Sequence, residues 1–318
     1  MPNYQGVWDI TTQFQYAAEW GTYPITPSFS SNIALVSMGF ATAASDRIDQ
    51  ISFASKGNAT DFGDQSTNFY GRGTVGGETR CIFGGGAAFS NVLEYVSFAS
   101  AGNVSDFGDL TLARGGGLGQ GGNKTRGVWA GGNNDSSDYS NVMDYVTIAS
   151  AGNASDFGDL TAAYSGGQAS ANSATLITFA GGEASGVNNS DHIDVITTAS
   201  TGNATDFGNL TGGRASMGGG ASSATRGIFG SGGYGLTVMD FITFASAGNA
   251  TDFADMQSTN QNTACSSETM GLMIGGNSAT NVIQFIIIAT KANALDFGDL
   301  TSTSRYPSAN SNGHGGLA

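Results

Sequence analysis

Three observations predict an all-β protein built from six repeated, four-stranded antiparallel sheets. One motif recurs six times along the 318 residues. Each copy carries short apolar runs, β-branched or aromatic, bounded by Gly, Asn and Ser. No segment carries an apolar stripe at helical spacing over three turns.

The motif reads Gly57-Asn58-Ala59-Thr60-Asp61-Phe62-Gly63-Asp64 and returns at residues 102–109, 152–159, 202–209 and 248–255, and in weakened form at 292–299. Its first Asp falls at 61, 106, 156, 206, 252 and 296, so the copies lie 45, 50, 50, 46 and 44 residues apart. Length differences of that kind belong to loops. Upstream of the motif lies an aromatic run such as Tyr145-Val146-Thr147-Ile148-Ala149 or Phe241-Ile242-Thr243-Phe244-Ala245. Further upstream is an apolar run closing on glycines, such as Gly127-Val128-Trp129-Ala130-Gly131-Gly132. Downstream comes Leu-Thr and then a Gly/Ser/Ala-rich stretch. These four features read as four strands, with Gly-Asn turning the chain between the last two.

Four strands every 44 to 50 residues suit a β-propeller blade. The aromatic runs are partly apolar on both faces, as a sheet packed between two neighbours requires. The small-residue strand suits the crowded innermost position. A β-solenoid is the rival architecture, but its coils are usually shorter. The first copy has three strands, at 33–38, 47–55 and 60–65, and the last copy is followed by one extra strand-like segment at 302–312. The chain's end is therefore expected to supply the inner strand of blade 1 and close the ring. Residues 1–30 read as an N-terminal extension and 31–318 as the propeller. Trp8, Phe14, Tyr16, Trp20 and Tyr23 supply apolar surface with which the extension would dock on a partner, or pack on the propeller's own rim.

Composition narrows the function. With 25 acidic and 11 basic residues the net charge is −14, which disfavours nucleic-acid binding. The 50 glycines lack a three-residue period, so collagen is excluded. The first 15 residues have neither a basic nor an apolar signal region, and the longest apolar run is only 285–289. A soluble product made in a cytoplasm, without membrane insertion, is expected.

The order of features resembles a kelch repeat: a strand ending in Gly131-Gly132, an aromatic strand holding Tyr145, then Phe157, and an arginine opening the next copy at Arg114, Arg214 and Arg305. Phe replaces the family's usual tryptophan in all six copies, and Tyr164 stands in one arginine place. The repeat from Tyr145 to Thr161 and the closing Ser311-Asn312-Gly313-His314-Gly315-Gly316-Leu317 also resemble repeat proteins of tailed marine and cyanobacterial bacteriophages. The leader Gly6-Val7-Trp8-Asp9-Ile10-Thr11-Thr12-Gln13-Phe14-Gln15, with Trp20 and Pro24, resembles a segment that phage structural proteins place ahead of unrelated propellers. The resemblance implies a non-enzymatic virion protein of tail, fibre or head. It would be held in multiple copies to other virion proteins by the extension and display the propeller for attachment. A carbohydrate-binding adhesin recognising host glycan is the alternative. A glycan-degrading enzyme would need paired acids across a pocket, and no unique pair stands outside the repeats.

The remaining chemistry-bearing residues carry no cofactor or catalytic assignment. The pairs Asp61/Asp64, Asp106/Asp109 and Asp156/Asp159 offer calcium two carboxylates each, whereas calcium takes six to eight oxygens. The structural alternative is that these Asp and Asn side chains satisfy turn backbone, and Asn209 and Ala254 depart from a strict ligand set. Asn58, Asn103, Asn153, Asn203 and Asn249 open Asn-x-Ser/Thr sequons that read as turns. His192 and His314 read as surface or turn residues. Glycine runs such as 115–122 lack the Lys-Ser/Thr of a phosphate loop. Cys81 and Cys265, in blades 2 and 6, are expected to be free thiols set far apart. The loops at 132–139 and 182–191 should gather on one rim, where binding usually sits.

Overall fold

The computed structural model describes residues 32–318 except 41–42, 87–88, 135–137, 166, 185, 216, 218, 231, 233–234, 258–262 and 277–278. The proposed docking residues Trp8, Phe14, Tyr16, Trp20 and Tyr23 lie outside the described residues. Six antiparallel sheets form the blades of a propeller. From axis to periphery, blade 2 runs β4 (Gly73–Gly76), β5 (Arg80–Gly84), β6 (Val92–Ser97) and β7 (Ser105–Asp109). Blade 3 runs β8 (Gly119–Gly122), β9 (Arg126–Ala130), β10 (Ser140–Thr147) and β11 (Ser155–Ser165). Blade 4 runs β12 (Ala169–Asn172), β13 (Leu176–Ala180), β15 (His192–Thr197) and β16 (Thr205–Asn209). Blade 5 runs β17 (Gly220–Ser222), β18 (Arg226–Phe229), β19 (Val238–Thr243) and β20 (Thr251–Asp255). Blade 6 runs β21 (Thr263–Ser266), β22 (Met270–Ile274), β23 (Thr280–Ile287) and β24 (Leu295–Ser304). A short β14 (Glu183–Ala184), from a blade 4 loop, adds a fifth strand to blade 3 by pairing with the end of β11.

Blade 1 is shared between the two ends of the chain. Its outer strands are β1 (Ile33–Ser37), β2 (Arg47–Ser52) and β3 (Thr60–Asp64), and its innermost strand is β25 (Ser308–Ser311), paired Ala34 to Ser311 and Ser37 to Ser308. The inner strands touch in the unbroken cycle β4, β8, β12, β17, β21, β25 and back to β4. One boundary differs from the sequence reading. Residues 302–304 continue β24, and only 308–311 line the axis.

Inner strands such as Ala169-Ser170-Ala171-Asn172 are fully buried and small because six backbones converge there. The core is six seams. Alternate residues of one strand enter opposite seams: Ala34 and Val36 pack with Leu272 and Phe285 of blade 6, while Leu35 packs with Phe83 and Val96 of blade 2. Trp129 fills the seam between blades 2 and 3, fully buried, its indole N–H donating to the Gly73 carbonyl at 3.0 Å. A Cβ at Gly73 would sit 2.4 Å from that ring, so the glycine is fixed by its neighbour's size.

The recurring motif stitches the seams. Asn103 Oδ1 accepts from Asp64 N–H of the preceding blade at 3.1 Å, and Asn153, Asn203, Asn249, Asn293 and Asn58 do the same for Asp109, Asp159, Asn209, Asp255 and Asp299. The following residue donates its N–H to the same blade edge, as Ala154 does to Asp109 at 2.7 Å. The edge approaches so closely that a Cβ at Gly63 would lie 2.2 Å from the Gly102 carbonyl oxygen. The Asn residues therefore bind the neighbouring blade rather than their own turn, which corrects the local-turn reading.

Because β25 pairs with β1 and supplies two of the six inner-strand contacts around the axis, to β21 and to β4, its removal exposes edges on blades 1, 2 and 6. Truncation before Ser308 is expected to lower the melting temperature and speed limited proteolysis; a truncated chain as resistant as the full one would refute closure by β25.

Candidate functional site

The hairpin geometry divides the molecule into two faces. Turns after the first and third strands of each blade, including all the Gly-Asn turns, lie on one, here the turn face. Connections after the second and fourth strands lie on the opposite loop face. The described residues of loops 132–139 and 182–191, between β9 and β10 and between β13 and β15, share the loop face as expected. The chain enters the propeller at Asn32 on the turn face, where Ile33 N–H donates to Asn312 Oδ1 at 2.9 Å. The C-terminal residues lie on that face too.

Under the loop face each blade buries one acid or amide of its third strand: Asp49, Glu94, Asp144, Asp194, Asp240 and, in blade 6, Gln284. Each meets the connection arriving from the preceding blade. Thr301 donates to Asp49 at 2.7 Å, Ser66 donates to Glu94, Thr111 to Asp144, Thr161 to Asp194 at 2.6 Å and Thr211 to Asp240 at 2.8 Å. Gln257 N–H donates to Gln284 Oε1 at 2.7 Å. In three blades a loop arginine completes the site: Arg72 with Glu94 at 2.5 Å, Arg114 with Asp144 at 2.6 Å, and Arg214 with Asp240. Arg114 also donates to the Trp129 and Val142 carbonyls, pinning the ends of β9 and β10. Burial raises the Asp144 pKa and Arg114 opposes that; burial likewise lowers Arg114, and Asp144 opposes it. A guanidinium keeps its proton, so the pair stays ionic. Asp49 and Asp194 are also raised by burial, opposed by Thr301 and Arg47 in one case and by Thr161 and His192 in the other.

These acids are the residues that sequence reasoning missed. Their signal was present: each stands 12 residues before the first Asp of its motif, from Asp49 and Asp61 to Gln284 and Asp296. The exposed motif acids sit on the outer strands, with Asp61 opposite Asp49 in the register. Among the described residues, no group of three or more His, Cys, Asp or Glu side chains is placed to hold a metal ion.

The two histidines differ. His192, partly exposed at the start of β15, places Nε2 3.1 Å from Asp194 Oδ1 in the blade where Tyr164 replaces arginine. His314 corrects the surface reading: it is buried on the axis. Its Nε2 meets the Gly76 carbonyl at 2.8 Å, and its Nδ1 accepts from Gly316 N–H at 3.1 Å. It caps a 3-10 turn (Gly315–Leu317) that packs on β12 and β17 and covers the axis at the turn face. Behind it lies a polar cavity of about 20 Å³, bordered by Gln120, Ser170, Asn172, Ser266 and Asn310, with room for about one water.

Both cysteines are free and buried. Wide separation is corrected: they face opposite sides of β1, Cys265 beside Ala34 and Val36, Cys81 beside Leu35. Burial pushes the Cys81 thiol far up, and Cys265 is close enough to add to the rise. Neither is poised as a nucleophile.

Asp144→Ala leaves Arg114 charged and buried, and should cost about 3–5 kcal/mol in urea unfolding, against much less for Asp144→Leu combined with Arg114→Met. Equal losses would contradict an unpaired-charge cost. Burial lowers the His314 pKa to about 4. An unfolded histidine near 6.5 binds its proton first, so this contribution is complete above pH 6.5 and is lost as pH falls toward 4. About 3 kcal/mol should disappear between pH 7 and pH 4 relative to His314→Gln, whose subtraction removes the opposite trend of the raised carboxylates; parallel stability curves would refute it. No protein-family model matches the chain, and no curated protein sequence matches it.

Proposed function

We propose that this protein is a non-enzymatic display module of a tailed-bacteriophage particle, held by residues 1–30 and presenting the loop face of a kelch-like propeller for attachment. The observation that carries the reading is the opposition of the two faces. The extension leads into the propeller at Asn32 on the turn face. The connections that vary most between copies stand on the other side. A segment docking Trp8, Phe14, Tyr16, Trp20 and Tyr23 against another virion protein would leave the loop face free.

A non-enzymatic role is supported by the use made of the buried acids. Glu94, Asp144 and Asp240 are paired with arginines and with hydroxyls of the adjoining blade. Acids so engaged serve as blade locks rather than as a general acid and base across a cleft. The charge of −14 fits a module exposed on a particle and indifferent to the nucleic acid within.

Antibody labelling of purified particles is expected to decorate them at a fixed position. Purified 31–318 should fail to join particles that the full chain joins. Particles without the antigen, or assembly of 31–318 as efficient as that of the full chain, would overturn the proposal.

A further inference from the structure

The loop arginine has a different fate in blade 1. In blades 2, 3 and 5 it is buried against the third-strand acid. In blade 1, Arg47 is the cation acting on Asp49 and donates to Thr301 Oγ1 at 2.9 Å. Arg305 is thereby released. Its guanidinium lies 4.8 Å from the Phe40 ring centroid and 5.5 Å from that of Tyr306, on the loop face. Its Nε, like those of Arg72 and Arg114, is buried and has no hydrogen-bond partner among the described residues.

Around it stands an aromatic cluster drawn from three connections. Phe40 follows β1, Tyr70 lies between β3 and β4, and Tyr306 between β24 and β25. Ring centroids are 5.7 Å apart for Phe40 and Tyr70, and 6.2 Å for Tyr70 and Tyr306. The backbones are tied together: Phe40 N–H donates to the Arg305 carbonyl at 2.8 Å, Arg305 N–H returns a bond to Phe40 at 2.9 Å, and Gly71 N–H donates to the Tyr306 carbonyl at 3.2 Å. Gly39 permits the approach, since a Cβ there would lie 1.9 Å from the Arg305 carbonyl oxygen. Tyr306 has φ +56°, a left-handed conformation unfavourable for a bulky residue. Strain of this kind persists where its surroundings over-determine it, and it gathers at binding sites. Tyr70 remains 37% exposed at the centre of the cluster.

We propose that Phe40, Tyr70, Tyr306 and Arg305 form a binding site for a neutral saccharide. A pyranose ring has apolar C–H faces and a hydroxyl rim, which match a rigid tyrosine face beside a guanidinium that, unlike those of Arg72, Arg114 and Arg214, has no ion pair among the described residues. Tyrosine offers that contact at low entropic cost, and tied loops avoid the cost of ordering the site on binding. The choice of a neutral ligand follows from charge: a chain at −14 repels polyanions, and a single arginine does not reverse that field. The inference rests on the loop face being the presented one.

The full-length protein, applied to an array of immobilised neutral pyranose oligosaccharides alongside uronate-containing ones of equal length, should be retained on neutral members. Calorimetry with the best soluble neutral oligosaccharide should show at least a tenfold weaker Kd for Tyr70→Ala and for Arg305→Gln. Leu236→Ser, an exposed position in the blade 5 loop, should bind as wild type, with unchanged melting temperatures throughout. No retention, retention on uronates alone, capture only of proteins, or undiminished binding by Tyr70→Ala would overturn the site. Particle labelling is read separately: saccharide binding by a protein absent from particles would sink the virion reading and leave this one standing, and the reverse result would do the opposite.

Discussion

The structure depends on the contact between neighbouring blades. A single four-stranded sheet this rich in Gly, Ala and Ser cannot bury enough apolar surface to stand alone, so each blade borrows half its core from either side. The six apolar clusters each combine residues of two adjoining blades. The packing is non-directional, and it would tolerate blades sliding past one another. Register comes from directed bonds at the rim, where the six Asn side chains accept backbone N–H groups across the seams. An exposed hydrogen bond contributes about 1 kcal/mol. Six in a closed circle act together, because none can slip without straining the next.

That constraint explains how far the sequence could be read. Strand number, blade number and the shared blade were legible because short apolar runs bounded by Gly and Asn have few other structural uses. The buried acids were not legible in the same way. A charged residue within a strand ordinarily reads as facing solvent, and only a partner elsewhere in the chain makes Asp144 a core residue. That partner, Arg114, precedes it by 30 residues, and Thr111 by 33. The constant interval of 12 residues to the motif was visible, but interval alone does not say that a position is inside. Arg72 falls outside the arginine spacing of the repeat for a related reason: it stands eight residues past Asp64 and directly before β4, whereas Arg114 and Arg214 stand five residues past Asp109 and Asn209.

The cysteines and His314 show a second limit. Counting blades sets residues apart in sequence, yet a ring brings the last blade beside the first. Cys81 and Cys265 line the two seams on either side of blade 1. His314 lies three residues beyond the last strand, a position that usually frays. It is held because the residues after β25 have only the axis to turn into, where Gly315 and Gly316 pass so close to Ser223 and Gly122 that any side chain would collide. The closing Gly-His-Gly-Gly is thus a consequence of ring closure, with histidine supplying bonds at both ring nitrogens.

Departures from the repeat are where identical blades acquire different duties, and they come in matched pairs. Each seam brings one glycine of the outer strand against one of the next turn. The two alanines that break this pattern, Ala254 and Ala292, fall at the same seam, between blades 5 and 6. Changed together, they leave the Asn293 bond to Asp255 intact at 3.2 Å, and Lys291 adds an ion pair to Asp252 at 2.9 Å. In blade 4, Tyr164 replaces the loop arginine, and His192 supplies a partner for Asp194. In blade 6 the acid itself becomes Gln284, which accepts an N–H from Gln257. Blade 1 follows the same logic, since Arg47 serves Asp49 while Arg305 moves out among the rings. In the first three cases a loss is offset within its own seam or blade. In the fourth, a guanidinium is left over, standing on the face that carries the variable loops.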